Sequence, residues 1–262
     1  MGSGGAWTGA AAHLGSPVFF KEDCLHRVYV SSAGAHQIVE TRCAGIRSGC
    51  GRSAGAVGEE LFYASPRGIM AYDGSLPRCV SAALGREPFY DAVGAAAGGR
   101  YYVSMRSADG ARSLFVLDPE TGIWSREDDS PVRYMTACGG EVCWQTEDGA
   151  LISARGGSGE PEGDFQWSAE TGIIGFGTVG KKYVSRFELC LQLAEGGEAE
   201  CFIEYDSDGV RHSCGRLSGG GPGARLLPVR PVRCGHFRIR LSGRGQLRLY
   251  SFSKIYEEGS GL

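Results

Sequence analysis

Four times in the first 150 residues a glycine is followed, after two intervening residues, by three hydrophobic residues in a row, usually after a small side chain. The copies are His13-Leu-Gly-Ser-Pro-Val-Phe-Phe20, Ala56-Val-Gly-Glu-Glu-Leu-Phe-Tyr63, Ala96-Ala-Gly-Gly-Arg-Tyr-Tyr-Val103 and Ala137-Cys-Gly-Gly-Glu-Val-Cys-Trp144. Their key glycines, Gly15, Gly58, Gly98 and Gly139, are 43, 40 and 41 residues apart. A strand-rich unit repeating every ~40–50 residues is the mark of a β-propeller blade. The repeat therefore predicts a scaffold of small sheets, with small residues before each glycine suiting inner strands crowded around a channel.

The rest of each repeat supports hairpins. Leu61–Tyr63 is followed by a turn at Pro66-Arg67-Gly68 and a second apolar run to Tyr72. The third copy continues through Ala108-Asp109-Gly110 to Leu114-Phe-Val-Leu-Asp-Pro-Glu-Thr-Gly-Ile-Trp124, a kelch-like pattern. The fourth continues through Asp148-Gly149 to Leu151-Ile152. Strand, glycine turn, strand is the hairpin signature. Glycine makes up 43 of the 262 residues, over twice the usual share of about 7 %, with no collagen period, so it serves turns.

The Gly/Pro/acidic stretch 155–164 reads as a linker between a propeller-like repeat domain (1–154) and a second domain (165–262). Beyond it the 40-residue period stops. Alternating segments at 184–193, 200–205, 226–232, 236–241 and 246–252 replace it, with Phe187, Leu189, Leu191 and Leu193 on one face. Five such strands predict a β-sandwich or jelly roll. The fold class expected is all-β: about four kelch-like blades, then an antiparallel sandwich. The only helices expected are short ones at 80–84 and 90–92. A hairpin from His236 to Phe252 with a three-residue loop, Gly243-Arg-Gly245, would set Leu241 against Leu247 and Ile239 against Leu249. The same register puts Arg240 opposite Arg248 and Arg238 opposite Tyr250. Arg238, Arg240, Arg248 and Tyr250 thus form the expected partner-binding face, unless acidic neighbours within the chain neutralise it.

Several motifs lack the context their chemistry needs. Gly51-Arg-Ser-Ala-Gly55 matches a nucleophile elbow, but no buried strand precedes it and no helix follows. Gly175-Phe-Gly-Thr-Val-Gly180 matches a dinucleotide fingerprint, yet the following segment alternates like a strand. Ten dispersed cysteines without Cys-x-x-Cys spacing read as reduced thiols packed as small hydrophobes. The five histidines share no ligand spacing, so no metal, cofactor or catalytic residue is expected. No carboxylate pair stands out as a glycosidase dyad. No secretory signal is evident and no apolar run approaches the ~20 residues of a membrane span.

The stretches Ala12–Cys24, Gly34–Thr41, Met70–Pro77, Arg233–Leu241 and Tyr250–Ile255 resemble a group of prophage-encoded structural proteins from gut Gram-positive bacteria. That resemblance implies a non-enzymatic tail or neck component, found in the virion and, during assembly, in the bacterial cytoplasm. Its partners would be other virion subunits in an oligomeric assembly, without membrane contact. A nucleic-acid contact is left open but gains no support from a net charge of −3. The alternative is a carbohydrate-binding or glycan-processing propeller protein with a lectin-like C-terminal module.

Overall fold

The computed structural model describes residues 3–85, 87–154, 166–177 and 180–257. The chain divides into two compact units, Met1–Ser158 and Gly159–Leu262. The linker expected at 155–164 lies outside the described residues. Among these residues the structure is almost wholly antiparallel β, with one 3-10 turn at Ala82–Leu84 and no α-helix. The segment expected to turn helically at 90–92 instead opens a strand.

The first unit holds four small sheets in chain order. The first is β1 (Gly9–His13), β2 (Ser16–Phe20), β3 (Cys24–Val30) and β4 (His36–Arg42). The second is β5 (Gly55–Val57), β6 (Glu60–Ser65), β7 (Gly68–Tyr72) and β8 (Arg78–Cys79). The third is β9 (Tyr90–Ala97), β10 (Arg100–Arg106), β11 (Arg112–Asp118) and β12 (Ile123–Asp128). The fourth is β13 (Val132–Cys138), β14 (Glu141–Thr146) and β15 (Leu151–Ser153). Each strand pairs with its sequence neighbour, so every sheet is a meander, as in a propeller blade.

The sequence repeat marks the first hairpin of each sheet. Ala97 pairs with Arg100 across Gly98-Gly99, and Cys138 with Glu141 across Gly139-Gly140. All four of these glycines have positive φ, the backbone that two-residue hairpin loops demand. In the first sheet the loop is Leu14-Gly15, and Leu14 itself takes φ 47°. In the second it is Gly58-Glu59. The first copy is therefore displaced by one residue relative to the turn it encodes.

Consecutive sheets are bolted together by buried polar side chains reaching backbone. Tyr63 Oη donates to Ala44 O at 2.8 Å, and Tyr101 Oη to Ser53 O at 2.6 Å. Trp124, the aromatic of the kelch-like pattern, donates its indole N–H to Val80 O at 2.9 Å. Phe20, Tyr63, Phe62, Tyr101 and Met105 run through one continuous apolar cluster spanning the first three sheets. Burial pushes the Tyr63 and Tyr101 phenols far above their usual range, so both serve as neutral donors.

Ser53 belongs to this bolting. It lies in the turn before β5, not in a blade strand, and is fully buried. Its Oγ donates to Cys50 O at 2.7 Å and accepts from Ala64 N at 2.9 Å. No nucleophile could act from there. Replacing Ser53 by Ala leaves the Ala64 N–H buried without that acceptor, which costs about 1–3 kcal/mol. Urea denaturation should show that loss; a variant within ~0.3 kcal/mol of the parent would mean that water replaces the hydroxyl.

The second unit is a single seven-stranded sheet. Its strands are β16 (Gln166–Glu170), β17 (Ile174–Gly175), β18 (Lys182–Tyr205), β19 (His212–Pro228), β20 (Arg233–Cys234), β21 (His236–Arg244) and β22 (Leu247–Glu257). Here the structure corrects the expected hairpin. β21 pairs with the second half of β18, from Glu198↔Arg244 to Tyr205↔Phe237. β22 pairs with the first half, from Leu193↔Leu247 to Tyr183↔Glu257. The two strands run end to end along β18. This arrangement too sets apolar beside apolar, Leu241 on Cys201, Ile239 on Ile203, Leu249 on Leu191 and Leu247 on Leu193, and it follows from β18 running on long enough to take both strands.

β19 breaks its pairing at the same level, between Leu193↔Gly220 and Glu198↔Ser218. All three long strands are thus interrupted together, and glycines occupy the crossing. A Cβ on Gly219 would lie 2.3 Å from Ala194 O, and one on Gly245 3.1 Å from Gly197 Cα. The two halves of β18 bury one common core on either side of this break. Phe187 from the first half meets Phe237, paired with the second half, at 5.6 Å between ring centroids. Tyr205 Oη donates to Arg230 O at 2.7 Å. A single interrupted sheet stands where separate sheets were expected.

Candidate functional site

The sheet of the second unit carries an open groove of about 620 Å³ over four adjacent strands. Register assembles it in three cross-strand rows. Trp167, Gly243, Ala199 and Leu217 form the middle row. Gln166, Arg244, Glu198 and Ser218 flank it on one side; Ser242, Glu200 and Arg216 flank it on the other, next to Ser168. Because side chains alternate along a strand, the two flanking rows share the face opposite to the middle row. The middle row turns Ala199 and Leu217 into the core, while the flanking rows stay polar and accessible.

Glu200, Arg216 and Trp167 are held by specific contacts. Glu200 accepts from Ser213 Oγ at 2.7 Å and lies 3.6 Å from Arg216 Nε. Trp167 is half-buried, its indole N–H donating to Gly245 O at 2.6 Å. Its ring lies against the bare backbone of Gly243, where a Cβ would come within 2.9 Å of Trp167 Cζ2. Two carboxylates, two guanidiniums, an amide and hydroxyls thus line one face. They can donate to and accept from a neutral, hydroxyl-rich ligand at several points.

The four residues expected to form a partner-binding face are not brought together as paired rows. Arg238 lies beside Glu204, and Arg240 beside Phe202, on neighbouring strands. Glu170 supplies their counter-charge: Arg240 Nη1 is 3.7 Å and Arg238 Nη1 3.9 Å from its carboxylate, with Arg211 at 3.3 Å. Arg248 pairs with Gln192 in the other half of the sheet, and Tyr250 Oη donates to Gln192 Oε1 at 2.9 Å. The like-charge opposition that motivated the face does not exist.

In the first unit the acids nearest Arg106 are held in ion pairs. Asp91 is bound by both Arg106 and Arg112, and Glu147 lies 2.5 Å from Arg106 Nη2. The fingerprint-like segment at 175–180 pairs only at its start, Gly175 with His236, and 178–179 lie outside the described residues. Among the described residues no helix is long and apolar enough to cross a membrane.

No protein-family model matches the chain, and no curated protein matches it in sequence. Solved structures do match. One is the exo-β-1,3-galactanase of Phanerochaete chrysosporium with galactose, at 11% identity and TM-score 0.33 over 90% of this chain and 78% of that one. Another is a family 43 arabinoxylan arabinofuranohydrolase from Bacillus subtilis in complex with cellotetraose, at 12% identity and TM-score 0.24, over 92% and 78%. A third, described as a glycoside hydrolase, has 9% identity and TM-score 0.31 over 94% and 84%. These similar structures are glycoside hydrolases and not virion proteins, so the expected non-enzymatic phage component has no counterpart among them. At such TM-scores they supply no residue correspondences, and this chain's own site must carry the functional reading.

Proposed function

We propose that the protein acts on glycans and holds saccharide in the groove of its second unit, the bent sheet serving as a sandwich-like module. The observation that carries this reading is the register that places Gln166, Glu198 and Arg244 on one side of Gly243 and Glu200 and Arg216 on the other. Pyranose rings present vicinal hydroxyls that paired donors and acceptors of this kind bind in bidentate fashion. The net charge of the chain is small, which suits a neutral ligand.

The groove also offers the residues hydrolysis would use. Glu198 and Glu200 are two positions apart on one strand face, so their Cα atoms are roughly 6.6 Å apart. Glu200 is held beside Arg216 and Ser213, and Glu198 stands exposed at the groove, so the two could supply the carboxyl groups that glycoside hydrolysis uses.

The test is a panel of neutral β-linked oligosaccharides, followed by calorimetry and by a reducing-end assay. Binding is expected for the parent chain and should weaken at least ~10-fold in Glu198→Gln, a loss of about 1.4 kcal/mol. Turnover should fall ~100-fold or more in Glu198→Gln and in Glu200→Gln. Equal binding by parent and Glu198→Gln, or turnover unaffected by either change, would remove the groove from the function.

A further inference from the structure

The first sheet carries a second constellation, unrelated to the groove. Cys24 and His26 are two apart on β3 and so share a face; Glu40 on β4 is the cross-strand partner of His26. One donor atom from each lies within 4.8 Å of the other two. His26 Nε2 is 3.1 Å from Glu40 Oε2. Cys24 is fully buried, His26 is 9% exposed, and the Glu40 side chain 29%. Ser3 covers them: its Oγ is 3.1 Å from Cys24 Sγ, and its amide donates to Glu40 Oε2 at 3.2 Å.

We propose that Cys24, His26 and Glu40 form a divalent transition-metal site, of the kind zinc occupies. The reasoning starts from the donor set. A thiolate, an imidazole nitrogen and a carboxylate are the three ligand types zinc takes, at ~2.3, ~2.0–2.1 and ~2.0–2.2 Å. Tetrahedral bonds of those lengths put donors roughly 3.5 Å apart. The His–Glu pair is already closer than that, and the remaining gaps need only small rotamer adjustments. The Ser3 hydroxyl, 3.1 Å from the Cys24 thiol, or a water in its place, would supply the fourth ligand.

Charge and burial agree with this assignment. A thiolate and a carboxylate together neutralise a dication, which a buried site requires. Two cations stand nearby, and Arg42, the cross-strand partner of Cys24, is largely exposed. Lys21 Nζ donates to the carbonyls of Ser3 and Gly4 and lies 4.8 Å from the Trp7 ring centroid; Arg42 Nε is 3.7 Å from the other Glu40 oxygen, Oε1. Trp7 stands edge-on to the His26 ring at 4.9 Å. The His26–Glu40 contact alone would be an ordinary ion pair. The buried thiol on the same face is what that explanation leaves without a role.

On binding, the Cys24 thiol gives up its proton to solvent while His26 coordinates as the neutral ring and Glu40 as the carboxylate. No redox step is involved. The role is structural: the ion would tie Ser3 and the segment before β1 onto β3 and β4.

The test uses the full chain without an affinity tag, stripped by chelator and titrated with Zn²⁺ calorimetrically and with Co²⁺ spectroscopically. One equivalent should bind, with about one proton released and a thiolate-to-cobalt charge-transfer band. Cys24→Ser should abolish that band and weaken zinc binding at least ~100-fold, or about 2.7 kcal/mol. Glu40→Gln, a change at the sheet surface that leaves the core intact, should weaken it ~10-fold or more. Cys79→Ser and Cys138→Ser, at exposed thiols outside the cluster, should leave both signals unchanged. Absence of binding below ~100 µM metal, or retention of the cobalt band in Cys24→Ser, overturns the site; equal affinity of Glu40→Gln and parent does so as well.

Discussion

Gly243→Ala is expected to dislocate the second unit and erase the groove together. A methyl at this position would lie 2.1 Å from the Glu198 carbonyl oxygen, 2.8 Å from Ala199 Cα and 2.9 Å from Trp167 Cζ2. Two of these three are backbone and cannot turn aside. β21 must then withdraw from β18, breaking the rows that position Glu198, Glu200 and Arg244. Overpacking a core commonly costs about 1–3 kcal/mol, and a clash against backbone belongs at or above the top of that range. Thermal denaturation of the isolated second unit and of the full chain should both report the loss. Near-parental stability would show that β21 can move outward without disrupting its neighbours.

Phe237→Ala should be comparably severe for a different reason. Phe237 is fully buried and touches Phe187 at 5.6 Å and Phe176 at 5.8 Å between centroids, so it joins both halves of the unit. Truncating a buried Phe costs about 3–5 kcal/mol, the lost transfer energy adding to that of the cavity left behind. Urea unfolding of Phe237→Ala against Phe237→Leu separates the two contributions, because Leu refills most of the space. A loss under ~1 kcal/mol for the Ala variant would mean that the halves do not depend on this ring.

Much of the first unit was legible because its information is local. Two-residue turns such as Gly98-Gly99 need positive φ, and glycine there, flanked by alternating side chains, announces a hairpin from a dozen residues. The second unit hid its pairing for the opposite reason. Period-two alternation is satisfied equally by a β21–β22 hairpin and by the end-to-end arrangement along β18. What decides between them is that β18 continues through Gly196-Gly197, which looks like a break in sequence. β19 likewise runs through Ser218-Gly-Gly-Gly-Pro-Gly223, too rich in glycine to read as a strand. Those glycines are the close crossing of three strands.

The sites were hidden to different degrees. Trp167, Glu198, Arg216 and Arg244 are neighbours only through three strand pairings, which no local pattern reveals. A partial signal existed in the polar alternation of Glu198 with Glu200 and of Arg216 with Ser218. The Cys24-x-His26 pair was readable as a same-face duo on a strand. A lone Cys-x-His is a weak signal without paired cysteines, and Glu40 joins it only once β3 and β4 are in register.

The length of β18 has a consequence for how the chain is made. Each small sheet of the first unit pairs strands adjacent in sequence, so it can close soon after its residues leave the ribosome. β18 finds its partners later: β21 begins at His236 and β22 ends at Glu257, so contacts such as Tyr183↔Glu257 span most of the unit. Contacts so distant in sequence form slowly. Until β22 has emerged, one flank of the first half of β18 remains open to pairing with a strand of another nascent chain. The two units therefore differ in when they become safe from misassembly, and the interval between them is set by the time taken to synthesise the stretch from β18 to β22.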